Sequence, residues 1–194
     1  MNLLRKFIDQ FLPTNDITIL ELRRTIKKQK ERIKYLEKQA ESTSIQFYDY
    51  EIEGIIIENL QKAKSEICIA MAWLTSENII KVLNELKTRG VDIKIIIDKN
   101  SKSRLRKSCS ILKIADLNRP DSKYDNYMHN KYCIIDNMKV IDGSYNWSEN
   151  AKYNLEHIIV IEDESMARVY RSSFNKIFNN PRYYANYTIS ENVV

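Results

Sequence analysis

The sequence predicts an α/β fold: an α/β/α sandwich with a mixed central sheet, preceded by a coiled-coil-like helix. Three observations support this prediction. Short apolar segments of strand type alternate with helical segments of 10–15 residues between about residues 45 and 178. Two of the later strand segments are joined by a tight turn, which makes them antiparallel neighbours. Ahead of them, residues 16–40 repeat apolar side chains at alternating steps of three and four.

The composition is that of a folded, soluble chain of about one domain. Of the 194 residues, 43% are hydrophobic and 29% are charged. No segment has the roughly 18–20 consecutive apolar residues that span a bilayer, and no secretory signal is seen. Cys68, Cys109 and Cys133 are odd in number and widely spaced, which indicates reduced packing residues. We therefore expect a cytoplasmic protein without integral membrane association, and without a metal or other cofactor.

The first predicted helix spans residues 16–41 and follows an amphipathic segment at residues 1–15. Its narrow apolar stripe fits a two-stranded coiled coil, and it fits equally well a helix lying along its own domain. Residues 17–40 hold eight basic and three acidic side chains, so this segment carries a net charge of +5 and the rest of the chain sums to zero. We expect it either to pair two copies of the chain or to recruit another protein. The stripe consists of Ile19, Leu22, Ile26, Ile33, Leu36 and Ala40, with Gln29 as its polar interruption.

The main domain is predicted at residues 45–180, and a polar, tyrosine-rich tail follows at residues 181–194. A helix from Ser76 to about Arg89 has Gly90 as its stop signal. The other helices are predicted at 52–64 and 164–178. Strands are predicted at 45–50, 66–74, 91–98, 111–115, 130–136, 140–147 and 155–162.

One strand–turn–strand region concentrates the chemistry of the chain. His129 and Lys131 are two residues apart, so they share a face of their predicted strand. The turn brings back a second strand with Ser144 and Asn146 on one face, and Glu156 approaches from a third strand. The sheet thus presents an imidazole, an ammonium group, a hydroxyl, a carboxamide and a carboxylate together.

These groups suit the cleavage of a phosphodiester. Lys131 and the amide of Asn146 can hold the non-bridging oxygens as negative charge builds in the transition state. His129 can attack phosphorus and form a covalent phosphohistidine. Glu156 can fix the imidazole's tautomer, as a carboxylate does in other histidine-based sites.

The spacing H-x-K-x4-D-x6-G-S-x-N, from His129 to Asn146, resembles the signature of the phospholipase D superfamily at every defined position. Residues 154–156 are similar to the family's continuation, and residues 56–98 to the first half of its fold. The resemblance implies an α/β/α sandwich and a metal-independent displacement in two steps through phosphohistidine. The roles that it implies are nucleophile for His129, phosphate binding for Lys131, Ser144 and Asn146, support of the histidine for Glu156, and a structural role for Asp136.

This mechanism needs two histidines, one to attack phosphorus and one to protonate the leaving oxygen. The motif occurs once. The other histidine, His157, follows Glu156 on a predicted strand and should therefore face away from it. We expect instead a homodimer in which each chain lends its His129 to one shared site, as in small single-motif members of the family.

The motif does not distinguish nucleic acid from phospholipid. A short, single-motif chain resembles the bacterial nucleases of the family, and a basic run could bind the backbone of DNA or RNA or simply be a solvated face. An amphipathic helix at residues 1–12 would instead favour a cardiolipin-type phosphodiesterase at an anionic membrane. A catalytically silent scaffold that binds nucleic acid is the third alternative. The basic run consists of Lys99, Lys102, Arg104, Arg106 and Lys107.

Overall fold

The computed structural model describes residues 16–101, 105–117, 123 and 125–184, and the chain divides into two compact units at residue 42. The first unit contains helix α1, Asp16–Ser42, so the predicted N-terminal helix is present. Leu22, Ile26, Ile33 and Leu36, which belong to the predicted stripe, are all exposed. Pairing of this stripe with a second helix stays a prediction.

The described residues of the second unit form a seven-stranded sheet and three helices. The strands are β1 Ser44–Tyr48, β2 Glu66–Met71, β3 Asp92–Asp98, β4 Ile111–Ala115, β5 Lys131–Ile135, β6 Lys139–Gly143 and β7 Ile158–Glu162. The helices are α2 Ile52–Gln61, α3 Glu77–Thr88 and α4 Glu164–Phe178. Short 3₁₀ turns lie at Leu105–Lys107, Glu149–Tyr153 and Pro181–Tyr183.

The strand order is β1-β7-β6-β5-β2-β3-β4. Strands β2, β3 and β4 are parallel, and the other neighbours are antiparallel. In the centre of the sheet, Met71 of β2 pairs with Lys131 of β5. The predicted mixed sheet is therefore confirmed.

Two apolar layers cover the two faces of the sheet, because successive residues of each strand point to opposite sides. Ile69 of β2 and Cys133 of β5 pack with α2 and α3 on one face. Ala70 and Ile134 pack with α4 on the other face. The result is the α/β/α sandwich that the sequence predicts. Among the described residues, no helix is both long enough and apolar enough to span a bilayer.

The helix boundaries follow the local signals in the sequence. The hydroxyl of Ser76 accepts a hydrogen bond from the backbone N–H of Ile79 and caps α3. Gly90 then ends this helix with φ of +91°, a conformation that a residue without Cβ adopts without strain. Asp163 caps α4 in the same way as Ser76 caps α3.

The strands that flank the predicted site are shorter than the sequence indicates. Strand β6 ends at Gly143 instead of residue 147, and β7 begins at Ile158 instead of residue 155. The chain leaves the sheet because Trp147 is buried beside the end of β2, where its carbonyl accepts hydrogen bonds from the N–H groups of Thr75 and Ser76. The residues predicted to be strand-borne at positions 144, 146 and 156 therefore lie on the connection between the two strands.

Candidate active site

The segment that carries His129 is fixed at the edge of the sheet where β2 and β3 end. The buried carboxylate of Asp98, at the end of β3, accepts a hydrogen bond of 2.9 Å from the N–H of Met128. On the other side, the carbonyl of Asn130 accepts one of 2.8 Å from the N–H of Ala72. Because Met128 is itself buried, the exposed side chain of His129 extends from an anchored backbone.

Lys131 contacts the imidazole of His129. Its Nζ lies 3.2 Å from both ring nitrogens and donates a hydrogen bond of 2.9 Å to the His129 carbonyl. Partial burial lowers the pKa of Lys131, and the negative charge of Glu156 opposes this shift. Trp73 meets the His129 ring edge-on, with 5.7 Å between ring centroids. The imidazole of His129 is therefore in contact with a cation and with an aromatic ring.

Ser144 and Glu156 form the second contact of the site. The hydroxyl of Ser144 donates a hydrogen bond to Oε2 of Glu156. The other carboxylate oxygen, Oε1, accepts one of 3.1 Å from the side-chain amide of Asn154. The carboxylate is thus oriented from both sides, and its charge acts on Lys131.

His157 does not follow the alternation expected from the sequence. It precedes β7, so the strand rule that should turn it away from Glu156 does not apply. Its Nδ1 lies 3.4 Å from the hydroxyl of Ser144, and its backbone N–H donates a hydrogen bond of 3.1 Å to the same oxygen. Ser144 therefore contacts both Glu156 and His157.

Asn146 lies two residues beyond Ser144, on the connection between β6 and β7. Its side-chain oxygen is buried and has no hydrogen-bond partner among the described residues. An unmade hydrogen bond at a buried polar atom costs roughly 1–3 kcal/mol. Only a donor group of a ligand could remove this cost, whereas a phosphate oxygen would have to accept from the NH2 group of the same amide.

Asp136 lies in the turn after β5 and has only structural contacts. Its two carboxylate oxygens accept hydrogen bonds from the backbone N–H groups of Lys64, Ser65 and Glu66, each of 2.8–3.0 Å. The hydroxyl of Ser65 donates a fourth. The carboxylate holds the start of β2 beside the turn. Asp136 itself has a strained backbone conformation, with φ of +52°.

The basic run is only partly described. Lys99 is ion-paired with Asp116 at 2.8 Å, and Lys107 is exposed. Lys102, Arg104 and the side chain of Arg106 lie outside the described residues, as does the amphipathic segment at residues 1–15.

The arrangement combines an exposed imidazole, a cation and an oriented carboxylate. Three contacts of the site were missed by the sequence interpretation: Asp98 on Met128, Asn154 on Glu156, and Phe47 on His157. Only Asp98 had a local signal, as an acidic residue at the end of a buried strand. Within the described ranges, no group of three or more His, Cys, Asp and Glu side chains is placed to hold a metal ion.

Comparison with known proteins shows which family the chain resembles. Residues 56–178 match the family described as "Cardiolipin synthase, PLD-like domain". The phospholipase D of Rickettsia typhi is 32% identical over 116 residues, which are 59% of this chain and 57% of that protein. The human mitochondrial cardiolipin hydrolase is 24% identical over 132 residues, 66% of this chain and 52% of that protein. The chain thus spans little more than half of the length of these curated relatives.

The fold is also found among solved structures. The crystal structure of a phospholipase D family member, Nuc from Salmonella typhimurium, superposes with a TM-score of 0.60 and 27% identity. The match covers 71% of this chain and 95% of that one. The family match covers part of α2, all of α3 and α4, and strands β2 to β7, together with the whole His129–Asn146 motif. The chain therefore belongs to the phospholipase D-like domain family.

Proposed function

We propose that this chain is a metal-independent phosphodiesterase that cleaves DNA or RNA through a phosphohistidine on His129, at a site shared by a homodimer. The observation that carries the proposal is the Lys131 ammonium group 3.2 Å from both ring nitrogens of His129. A phosphate oxygen drawn to this cation brings phosphorus to the imidazole. Lys131 and His129, which are in contact, then provide phosphate binding and nucleophilic attack, respectively.

The first step forms a phosphorus–nitrogen bond and breaks a phosphorus–oxygen bond. A nitrogen of His129 attacks phosphorus while Lys131 and Asn146 hold the non-bridging oxygens. The leaving oxygen takes a proton from a second histidine. Ser144 turns its one O–H from Glu156 to a phosphate oxygen, and Glu156 supports the charged histidine.

The second step releases the intermediate. The second histidine, now neutral, takes a proton from water, and the resulting hydroxide attacks phosphorus. The phosphorus–nitrogen bond breaks, the phosphomonoester departs and His129 is regenerated. We assign the second histidine to His129 of another copy of the chain. The exposure of the His129 side chain at the edge of the sheet supports this assignment, because a partner can reach it.

Nucleic acid is the substrate class that the charge of the chain favours. Residues 17–40 of helix α1 carry a net charge of +5, and their described basic side chains at residues 23–34 are exposed. Such side chains bind phosphate without reading sequence, so we expect weak sequence specificity. The names of the curated relatives favour the second candidate, a cardiolipin-type phosphodiesterase. A silent nucleic-acid-binding scaffold would bind without turnover.

The decisive experiment incubates the full chain with labelled single- and double-stranded DNA and RNA in excess EDTA. Cleavage that persists in EDTA and is lost in His129→Ala is the expected result. Because His129 is exposed, circular dichroism should report an unchanged fold in that variant. Hydrolysis of cardiolipin vesicles without cleavage of any nucleic acid would overturn the proposed substrate in favour of lipid. Retention of nucleic acid without turnover of either substrate would favour the scaffold.

The shared site is tested by mixing subunits. Wild-type protein is exchanged with increasing His129→Ala protein at constant total concentration. If each site needs two copies of His129, activity falls with the square of the wild-type fraction, since every mixed dimer lacks one histidine. A linear fall would mean that each chain works alone, and His157→Ala would then become the variant to test.

A further inference from the structure

We infer that Phe47 and His157 form a stacking subsite for an unpaired nucleobase beside the candidate phosphate site. The inference rests on the proposed function and narrows its substrate class to single-stranded nucleic acid. It also assigns a role to His157, which takes no part in the proposed phosphoryl-transfer steps.

The two rings are stacked. Their centroids are 5.6 Å apart and their planes differ by 18°. Phe47 comes from the edge strand β1, where it pairs with Ile159 of β7, and it is 61% exposed. His157, which precedes β7, is also exposed. Both rings therefore leave area open to a ligand.

This ring pair adjoins a candidate phosphate-binding residue. Nδ1 of His157 lies 3.4 Å from the hydroxyl of Ser144, which donates a hydrogen bond to Glu156. The backbone N–H of His157 also donates a hydrogen bond to that hydroxyl. This bond fixes the backbone from which the imidazole extends. One imidazole ring thus separates the ring of Phe47 from Ser144. A nucleotide whose phosphate is bound at Ser144 has its own base within reach of Phe47.

Of the parts of a nucleotide, the base is the one that stacks on an aromatic side chain, rather than the sugar or the phosphate. Any base sequence is accepted, because every base has a π-face. In a duplex these faces are already occupied by neighbouring base pairs. The subsite therefore favours unpaired strands, while the phosphate groups of either form can reach the catalytic histidine.

A second copy of the chain is the competing occupant of this surface. Ile45, two residues before Phe47 on the same face of β1, is 67% exposed and adds apolar area that would suit a protein partner. The observations favour the base because Phe47 is stacked on an imidazole that contacts the phosphate-binding hydroxyl. Ile45 also provides a matched control, since it has similar exposure and position without an aromatic ring.

The test measures binding in a His129→Ala background, so that the substrate is not consumed. Fluorescence anisotropy gives Kd for a labelled single-stranded DNA oligonucleotide and for an abasic oligonucleotide of equal length and charge. We expect Phe47→Ala to weaken binding of the normal strand about tenfold and to leave the abasic strand unchanged. Phe47→Trp should retain the affinity, and Ile45→Ala should change it less than twofold.

Three results would overturn the inference. An unchanged Kd in Phe47→Ala, with the normal strand still bound, would remove the subsite and leave the proposed function standing. Equal losses for the normal and abasic strands would mean that Phe47 acts through the backbone or the fold. Conversion of a dimer to a monomer by Phe47→Ala in sedimentation velocity would identify the surface as a subunit interface. Failure of the His129→Ala protein itself to bind any strand would instead count against the nuclease proposal as a whole.

Discussion

The ammonium nitrogen of Lys131 lies 3.2 Å from each ring nitrogen of His129 and 2.9 Å from the carbonyl oxygen of the same residue. An ammonium group donates hydrogen bonds and accepts none, so the ring nitrogen that bonds to it does so through its lone pair. In the proposed mechanism the same lone pair attacks phosphorus. Phosphate oxygens that bind Lys131 would then free the imidazole when the substrate is in place.

Replacement of Lys131 by methionine should separate activity from stability. We expect cleavage to fall by about 10²–10³-fold, because a group that holds the developing negative charge is lost. Burial lowers the pKa of Lys131, so its charged form is disfavoured by folding and its charge costs stability at neutral pH. The melting temperature of Lys131→Met should therefore equal or exceed that of the wild type at pH 7.

The effect of Lys131→Met on stability should depend on pH. As pH rises through the lowered pKa of Lys131, the wild type loses the charge and the difference in melting temperature should shrink. Thermal unfolding of the wild type and Lys131→Met at neutral and alkaline pH measures this difference. A variant that is clearly less stable at pH 7 would show that Lys131 supports the fold. Lys131→Arg, which keeps the charge, should retain more activity than Lys131→Met.

The hydrogen bond between Ser144 and Glu156 should behave as one unit in catalysis. Hydrogen bonds to charged groups are worth about 1.5–3 kcal/mol, so Ser144→Ala and Glu156→Gln should each lower kcat by roughly 10- to 100-fold. The double variant should be little worse than the weaker single variant, since each change already breaks the same contact. Steady-state kinetics of the three variants measures the coupling. Strictly multiplicative losses would mean that the two side chains act independently.

Gly143 should not tolerate a side chain. A Cβ at this position would lie 2.2 Å from the carbonyl oxygen of His157 and 2.8 Å from Cα of Ile158, both of them backbone atoms. We expect Gly143→Ala to lower the free energy of unfolding by about 1–3 kcal/mol and to shift the residues of the site. Urea denaturation monitored by tryptophan fluorescence measures the change.

Gly54 is the matched control for Gly143. It lies inside α2, and a Cβ there would meet no atom within 4 Å. Gly54→Ala should stabilise the chain by roughly 0.5–1 kcal/mol, because alanine restricts the unfolded chain and favours the helix. Equal effects of the two substitutions would contradict the close approach between β6 and β7.

Asp163 should stabilise α4 in a pH-dependent way. Hydrogen bonds from the hydroxyls of Ser165 and Thr43 and from the N–H of Met166 lower the pKa of Asp163 to about 2. Its stabilisation is therefore present above about pH 4, the unfolded value, and is lost as pH falls through about 2. Asp163→Ala should cost about 1 kcal/mol at pH 7, a typical value for a helix cap.

Chemical denaturation from pH 7 down to pH 2 checks this prediction. The unfolding free energies of wild type and Asp163→Ala should converge at the acidic end. Asp163→Asn should cost less, because asparagine is also a good cap and loses only the charge. A cost that stays constant over the whole range would mean that the carboxylate charge has no part in the cap.

Local signals predicted the outer elements of the fold well. The observed β4 and α4 have the predicted bounds, and α3 begins after its Ser76 cap and ends before Gly90. The strands around the site were predicted too long. Residues 144–147 continue an alternating pattern in the sequence, yet burial of Trp147 against the end of β2 draws them out of the sheet. A contact between distant segments overrode the local pattern.

The candidate site shows the same contrast between local sequence signals and long-range contacts. The spacing of His129 and Lys131 predicted that they share a side, because they are two residues apart in an extended segment, and the structure adds their contact. The sequence also determined the family, the layered fold and the helix caps, all of which depend on short spacings. The tertiary structure alone decided that His157 contacts Ser144 and stacks on Phe47, 110 positions earlier in the chain. Such contacts depend on how β1, β6 and β7 pair and where they end, and those limits are set by long-range packing.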